Sequence, residues 1–246
     1  MQPPVTREDK NGAAILILNR PDKLNALTVE MFTLLRGHVD AIAQQTETIG
    51  LVLLRGAGKC FCAGNDLAGI AAGAKPLKPW FQGEAIENLA TLPQPEITAV
   101  HGHCYTGGLE LALAGDIIAA SANARFGDTH GKWALTPVWG MSQRLPRRVG
   151  AAKAKEMMFT SRTYSGAQAE AMGLANFCFA DDAFEAEVEK LTKEILGNSW
   201  FSHRANKKLI DDTEGLPLKA GLAHEIYKCE GRGPDSQERI AAFMKK

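Results

Sequence analysis

Gly56-Ala-Gly-Lys-Cys-Phe-Cys-Ala-Gly-Asn-Asp-Leu67 and His103-Cys-Tyr-Thr-Gly-Gly-Leu-Glu110 decide the reading of this chain. Each follows a short apolar run, Ile49 to Leu54 in the first case and Ile97 to His101 in the second. Runs that are apolar on both faces and give way to small residues read as buried strands leaving a parallel sheet. Ligands bind on that side of such sheets. The second stretch also opens a helix, Leu109 to Ala114, whose first N–H groups lack partners within the helix and point ahead of it. Two peptide N–H groups, one from each turn, can grip a single carbonyl oxygen and stabilise it as an oxyanion. One such donor is worth about 2.7–4 kcal/mol in other enzymes. Glu110 stands three residues past Gly107 and is placed to act on a bound molecule as a general acid or base. A first-turn glutamate also serves as a plain dipole partner.

The rest of the chain fits around these turns. Ala13 to Leu18 reads as a strand ended by Asn19-Arg-Pro-Asp22, and Thr28 opens a helix with Met31, Leu34, Leu35, Val39 and Ile42 on one face. Ala68 to Lys78 reads as a loop, Phe81 to Thr91 as a short helix, Ile117 to Ala120 as a strand and Ala124 to Phe126 as an extended piece. Strands alternating with helices give an α/β chain with a largely parallel sheet. After about Ser142 the pattern turns helical, with capping boxes expected at Ser165 and Asp182 and C-terminal caps at Gly173 and Gly197. The division expected is a core over residues 1–195 and a helical region over 196–246, a candidate oligomerisation element.

Composition narrows the function. The chain has 246 residues, 45% of them hydrophobic, with 28 basic side chains against 28 acidic ones. A zero balance argues against a broadly basic nucleic-acid binder and an acidic disordered tail. No apolar run reaches the ~20 residues of a membrane helix, and residues 1–11 lack the apolar stretch of a signal peptide. Five cysteines, an odd count, read as reduced thiols, so a cytoplasmic setting is expected. Familiar motifs fail on inspection. The third glycine position of a dinucleotide fingerprint begun at Gly56 holds Phe61, and Gly58-Lys59 lacks its phosphate-loop glycine because Leu53 stands there. Ser142 lacks the second glycine of a nucleophile elbow. Cys60 and Cys62 have no second pair for zinc, and no metal site is expected.

Asn19-Arg-Pro-Asp-Lys-Leu-Asn-Ala-Leu27, the Gly56–Leu67 stretch, the glycine turn ending in Glu110, and Phe126-Gly127 followed by Leu135-Thr-Pro137 stand in order along nearly the whole chain. Together they resemble the crotonase, or enoyl-CoA hydratase/isomerase, superfamily. The resemblance implies a spiral of repeated ββα units followed by a helical trimerisation region, forming a homotrimer or a dimer of trimers. It implies an acyl-CoA thioester as substrate, with coenzyme A part of that substrate and no other cofactor. It implies a thioester enolate held by the backbone N–H groups of Asn65 and Gly107. Lys23, Leu24, Ala26 and Ala63 would line the coenzyme A path, and Asp66, Leu67 and Gly108 would border the pocket.

Three departures from the family pattern carry weight. Thr106 holds the first position of a glycine triplet. Asn65 is polar where a small or apolar residue is common. Hydratases of the family have two glutamates; Glu110 matches the first, and the second position falls in Phe126-Gly-Asp-Thr-His130, where His130 stands. An imidazole titrates near neutral pH and can move a proton to or from carbon or water. Asp66 and Asp128 read as turn formers. Cys60, Cys62 and Cys104 read as packing residues. The expected activity is hydration of a 2-enoyl-CoA. Double-bond isomerisation and non-catalytic acyl-CoA binding stay open.

Overall fold

A computed structural model describes residues 2–76 and 78–245 of the chain. The strands are β1 (Val5–Lys10), β2 (Ala13–Leu18), β3 (Leu51–Gly56), β4 (Glu96–Val100), β5 (His103–Tyr105), β6 (Ile117–Ser121), β7 (Arg125–Gly127), β8 (Tyr164–Ser165) and β9 (Phe177–Phe179). The helices are α1 (Val29–Ala43), α2 (Leu67–Ala71), α3 (Phe81–Ala90), α4 (Gly107–Ala112), α5 (Met141–Val149), α6 (Ala151–Thr160), α7 (Gly166–Ala171), α8 (Phe184–Gly197), α9 (Trp200–Thr213), α10 (Leu218–Lys228) and α11 (Ser236–Met244).

Six strands form one sheet in the order β1-β2-β3-β4-β6-β9, parallel throughout except for the β1–β2 hairpin. A second, three-stranded sheet runs β5-β7-β8 and crosses from the first at Gly102, between β4 and β5. The central strands are buried on both faces because both faces are covered. Leu16, Leu18, Val52 and Leu54 pack with Met31, Leu35, Val39 and Ile42 of α1 and Ile86 and Leu89 of α3. On the other face Leu51, Leu53, Ile97, Ala99 and Ala119 pack with Phe184 and Val188 of α8. Each fully buried side chain of this kind contributes roughly 1.5–3 kcal/mol. Helices α9 to α11 have no fully buried residue.

The expected elements are found with small shifts and five corrections, the first being that the stretch after Ser142, expected to be helical, also supplies β8 and β9, one edge of each sheet. Residues 1–11, read only as polar, contain β1, joined to β2 by the two-residue turn Asn11-Gly12 with both residues at positive φ. The expected loop from Ala68 begins as α2, because the Asp66 carboxylate accepts the N–H groups of Ala68 and Gly69. The Ser165 capping box is present with both bonds, whereas α8 begins at Phe184 without a side-chain cap, so Asp182 opens no box. Gly173 follows α7 at positive φ, but Gly197 is the last residue of α8 and Asn198 leaves it in extended backbone. No helix among the described residues is long and apolar enough to cross a membrane.

Candidate active site

The two turns meet at the mouth of a cavity of about 380 Å³ lined by Ala63, Gly64, Asn65, Thr106, Gly107, Glu110, Thr129 and His130 on its polar side. Ladder bonds bring them together. Cys62 N–H donates to His103 O, Tyr105 N–H donates to Cys62 O, and the Cys62–Cys104 bridge is parallel. A methyl placed on Gly107 would lie 3.5 Å from Asn65 N and 2.5 Å from the Trp139 ring, so the position leaves no room for a side chain. Asn65 pairs with Leu27 through the Gly64 carbonyl and the Asp66 N–H, which leaves its own N–H out of the ladder. Gly107 begins α4, and its N–H is one of the helix's free donors. Neither amide donates a hydrogen bond to another described residue.

Glu110 lies on the first turn of α4 with 1% of its surface exposed. Its Oε1 accepts the backbone N–H groups of Trp139 (2.9 Å) and Met141 (3.2 Å). Arg144 holds that segment in turn, donating to Trp139 O and pairing with Glu87. Oε2 lies 3.8 Å from His130 Nε2. Burial raises the Glu110 pKa above the ordinary glutamate value, partly offset by the two N–H bonds and by the positive charge available on His130.

His130 opens a 3₁₀ turn, His130–Trp133, that follows β7. Its Nδ1 lies 2.6 Å from Asp128 Oδ1, which also accepts the His130 N–H at 3.1 Å. A carboxylate can only accept, so Nδ1 carries the hydrogen and Nε2 is turned to Glu110. Burial pulls the His130 pKa down, but the Asp128 hydrogen bond and the charges of Asp128 and Glu110 outweigh it and hold the value above the ordinary one. Asp128 is thus both the turn former expected of it and the partner that orients the imidazole. The Asp-x-His spacing was the available signal for this pair.

Thr106 sits at φ 52°, ψ −111°, a conformation suited to glycine and costly for a β-branched residue, of order 1–3 kcal/mol. The position is therefore one at which a glycine would be at ease. Thr106 N–H donates to Gly127 O, and its carbonyl accepts the Glu110 N–H. Its hydroxyl joins that of Thr129, a pairing that sequence alone did not suggest.

Other expected residues fall in different places. Ala63 and Leu67 line the cavity, while Lys23, Leu24 and Ala26 lie outside its lining, in the loop before α1. That loop is fixed by Asn25, whose side chain donates to Ala57 O and Cys60 O and accepts the Arg20 N–H. Asp66 does not line the cavity: its carboxylate caps α2 and pairs with Arg20 at 3.2 Å. Gly108 does not reach it either, being buried against Cys62, whose carbonyl oxygen a Cβ there would approach to 2.6 Å. Trp139 packs edge-on against Phe32 and also walls the cavity, and the exposed Trp133 stands at its rim. Burial pushes the Cys62 thiol up to about 12 and that of Cys104 well above its ordinary value, so both are packing groups. No group of three or more His, Cys, Asp or Glu side chains among the described residues is arranged to hold a metal.

The description "Enoyl-CoA hydratase/isomerase" belongs to the family model that matches residues 8–245. Mouse mitochondrial methylglutaconyl-CoA hydratase is 32% identical over 248 residues, covering 97% of this chain and 79% of the relative. The 1,2-epoxyphenylacetyl-CoA isomerase of Escherichia coli K12 is 30% identical over 246 residues, covering 96% and 94%. A Thermobifida fusca protein solved in complex with acetoacetyl-CoA superposes with a TM-score of 0.84 at 25% identity, covering 99% of this chain and 96% of that one. A match of this extent, over a sheet and turns built as described, means that the chain belongs to the enoyl-CoA hydratase/isomerase family, the crotonase superfamily, and has its fold.

Proposed function

We propose that the protein adds water across a 2-enoyl-CoA thioester, or removes it from the 3-hydroxyacyl product. The observation that carries this reading is the pair of unpartnered amides of Asn65 and Gly107 on a cavity shared with Glu110 and His130. The thioester oxygen sits between the two N–H groups, which strengthen as negative charge develops on it. Glu110, its Oε1 fixed by backbone, takes a proton from water through Oε2. Protonated His130 delivers a proton to the α-carbon. The gap of 3.8 Å between Oε2 and Nε2 fits a water bonded to both at about 2.8 Å with an angle of about 85° between the bonds. Leu67 walls the acyl group, and Lys23, Leu24, Ala26 and Ala63 border the approach of coenzyme A. No cofactor beyond the substrate's own coenzyme A enters this scheme.

A second reading, double-bond isomerisation, draws support from the same pair. Two acid–base groups this close can carry one proton between two carbons of an enolate. The exposed apolar side chains of α9 to α11, among them Ile210, Leu218, Ile226 and Phe243, support a homotrimer or a dimer of trimers. The deciding experiment supplies purified protein with 2-enoyl- and 3-enoyl-CoA series in ¹⁸O-water. Hydration is expected to add one labelled water to the 2-enoyl substrate. A shifted double bond without label favours isomerisation, and no change in either series across short, long and aromatic chains overturns both.

A further inference from the structure

Two threonine hydroxyls on the cavity wall have no part in the scheme above. Thr106 Oγ1 and Thr129 Oγ1 are 2.5 Å apart, and Thr106 Oγ1 also accepts the Thr129 N–H at 3.1 Å. Both residues line the cavity. Their hydrogens can be counted. Each hydroxyl has one hydrogen to give. If Thr106 donates to Thr129, the Thr129 hydrogen is left over. If Thr129 donates to Thr106, the Thr106 hydrogen is left over. Neither oxygen has another acceptor within hydrogen-bonding distance among the described residues. Either way one O–H is left without an acceptor among the described residues, on a pair of residues that line the cavity.

The backbone gives a second reason to look here. At φ 52° a glycine would be relaxed and a threonine is not. The chain nevertheless keeps a side chain at position 106, and its one polar atom is the hydroxyl in the pair. The nearby Leu67 and Ile70 offer nothing polar to an acyl chain.

We infer that the Thr106/Thr129 hydroxyl pair is an oxygen-binding site, donating one hydrogen bond to the oxygen borne by the β-carbon of the bound thioester. That oxygen is the water as it adds or the hydroxyl of the 3-hydroxyacyl product. The inference rests on the hydration reading and adds a donor to it: Glu110 accepts from this oxygen while the threonine pair donates to it. Either hydroxyl alone keeps one hydrogen to give, so both must be removed to empty the site.

The test is calorimetric titration of the full chain with 3-hydroxybutyryl-CoA and butyryl-CoA, which differ only in the β-oxygen. The wild type is expected to bind the hydroxy thioester about five- to tenfold more tightly. In the double variant Thr106→Val/Thr129→Val the ratio of the two affinities is expected to fall severalfold, to the part that Glu110 alone supplies, and in Thr106→Ser/Thr129→Ser to return. Equal affinities in the wild type overturn the inference without recourse to any variant, as does a wild-type ratio surviving in the double valine variant. Failure of the wild type to bind either thioester overturns the underlying reading as well, a result distinct from binding without preference.

Discussion

Glu110 and Glu96 are both glutamates sealed in the protein, with 1% and 0% of their surface exposed. Burial is the leading cause that raises the carboxyl pKa of each. Their surroundings separate them. Glu110 has one oxygen pinned by two backbone N–H groups and the other turned to an imidazole across a cavity. Glu96 opens β4 beside Asp116 and Lys207. Its Oε1 lies 3.4 Å from the Thr98 hydroxyl, its Oε2 has no partner among the described residues, and it is absent from the cavity that Glu110 lines. A buried carboxyl with a raised pKa is therefore not itself the mark of a catalytic group. What distinguishes the candidate is an oxygen held in place, a proton-exchanging neighbour and room for a substrate.

The largest effect should appear when both glutamates are replaced by the neutral isostere. Glu110→Gln is expected to lower kcat on the active enoyl-CoA by roughly 10²–10⁴-fold, the usual contribution of a general base. Glu96→Gln is expected to leave kcat within about twofold, since it touches neither cavity nor substrate. Steady-state rates of the two variants, each shown folded by circular dichroism, check this. Full activity in Glu110→Gln would remove the distinction between the two sites.

The next effect tests the neighbour. Asp128 holds His130 charged to a higher pH than an isolated histidine would stay charged. A protonated His130 acting as the acid places the alkaline limb of kcat/KM above the ordinary histidine value. Glu110, acting as the base with its raised pKa, places the acid limb above the ordinary glutamate value. Asp128→Asn removes the charge that favours imidazolium, so the alkaline limb should move to lower pH. The loss should be roughly tenfold to a hundredfold at pH 8 and smaller at pH 6. A uniform loss across pH would mean that Asp128 only shapes its turn.

Where the sequence was informative, the physics was local. Ala13 to Leu18 and the Thr28-capped helix were legible because apolar spacing and a side-chain cap act within a few residues. The two turns were legible as a pair because small residues after buried runs have few other uses. The hairpin at Asn11-Gly12 is equally local, and that dipeptide is a strong short-range hairpin signal even within a polar N-terminus. The pairing of Thr106 with Thr129 was of another kind. It joins positions 23 residues apart through the parallel pairing of β5 with β7, and nothing in either residue's neighbourhood announces it. Gly108 shows the converse, a glycine placed by family pattern at the pocket and required instead for close packing on Cys62.

The smallest effect is expected in stability, and it runs through Glu96. Its pKa is raised to about 8 by burial and the charge of Asp116, against the opposing pull of Lys207, Thr98 and Arg144. In the unfolded chain the same carboxyl ionises near its ordinary value of 4.5. Below that value both states are protonated and Glu96 contributes no pH dependence. Between 4.5 and 8 the unfolded state releases a proton that the native state keeps, so native stability falls as pH rises. Above 8 both states are ionised and the fall stops. Glu96→Gln cannot ionise and keeps an oxygen for Thr98, so it should match the wild type near pH 4.5 and exceed it by roughly 1–3 kcal/mol at pH 7. Urea denaturation of both proteins at pH 5 and pH 7 measures the difference. A gap that does not widen with pH would mean that Glu96 is ionised in the folded protein at neutral pH, and Lys207, donating at 2.7 Å to Asp116, would then be shared between two carboxylates.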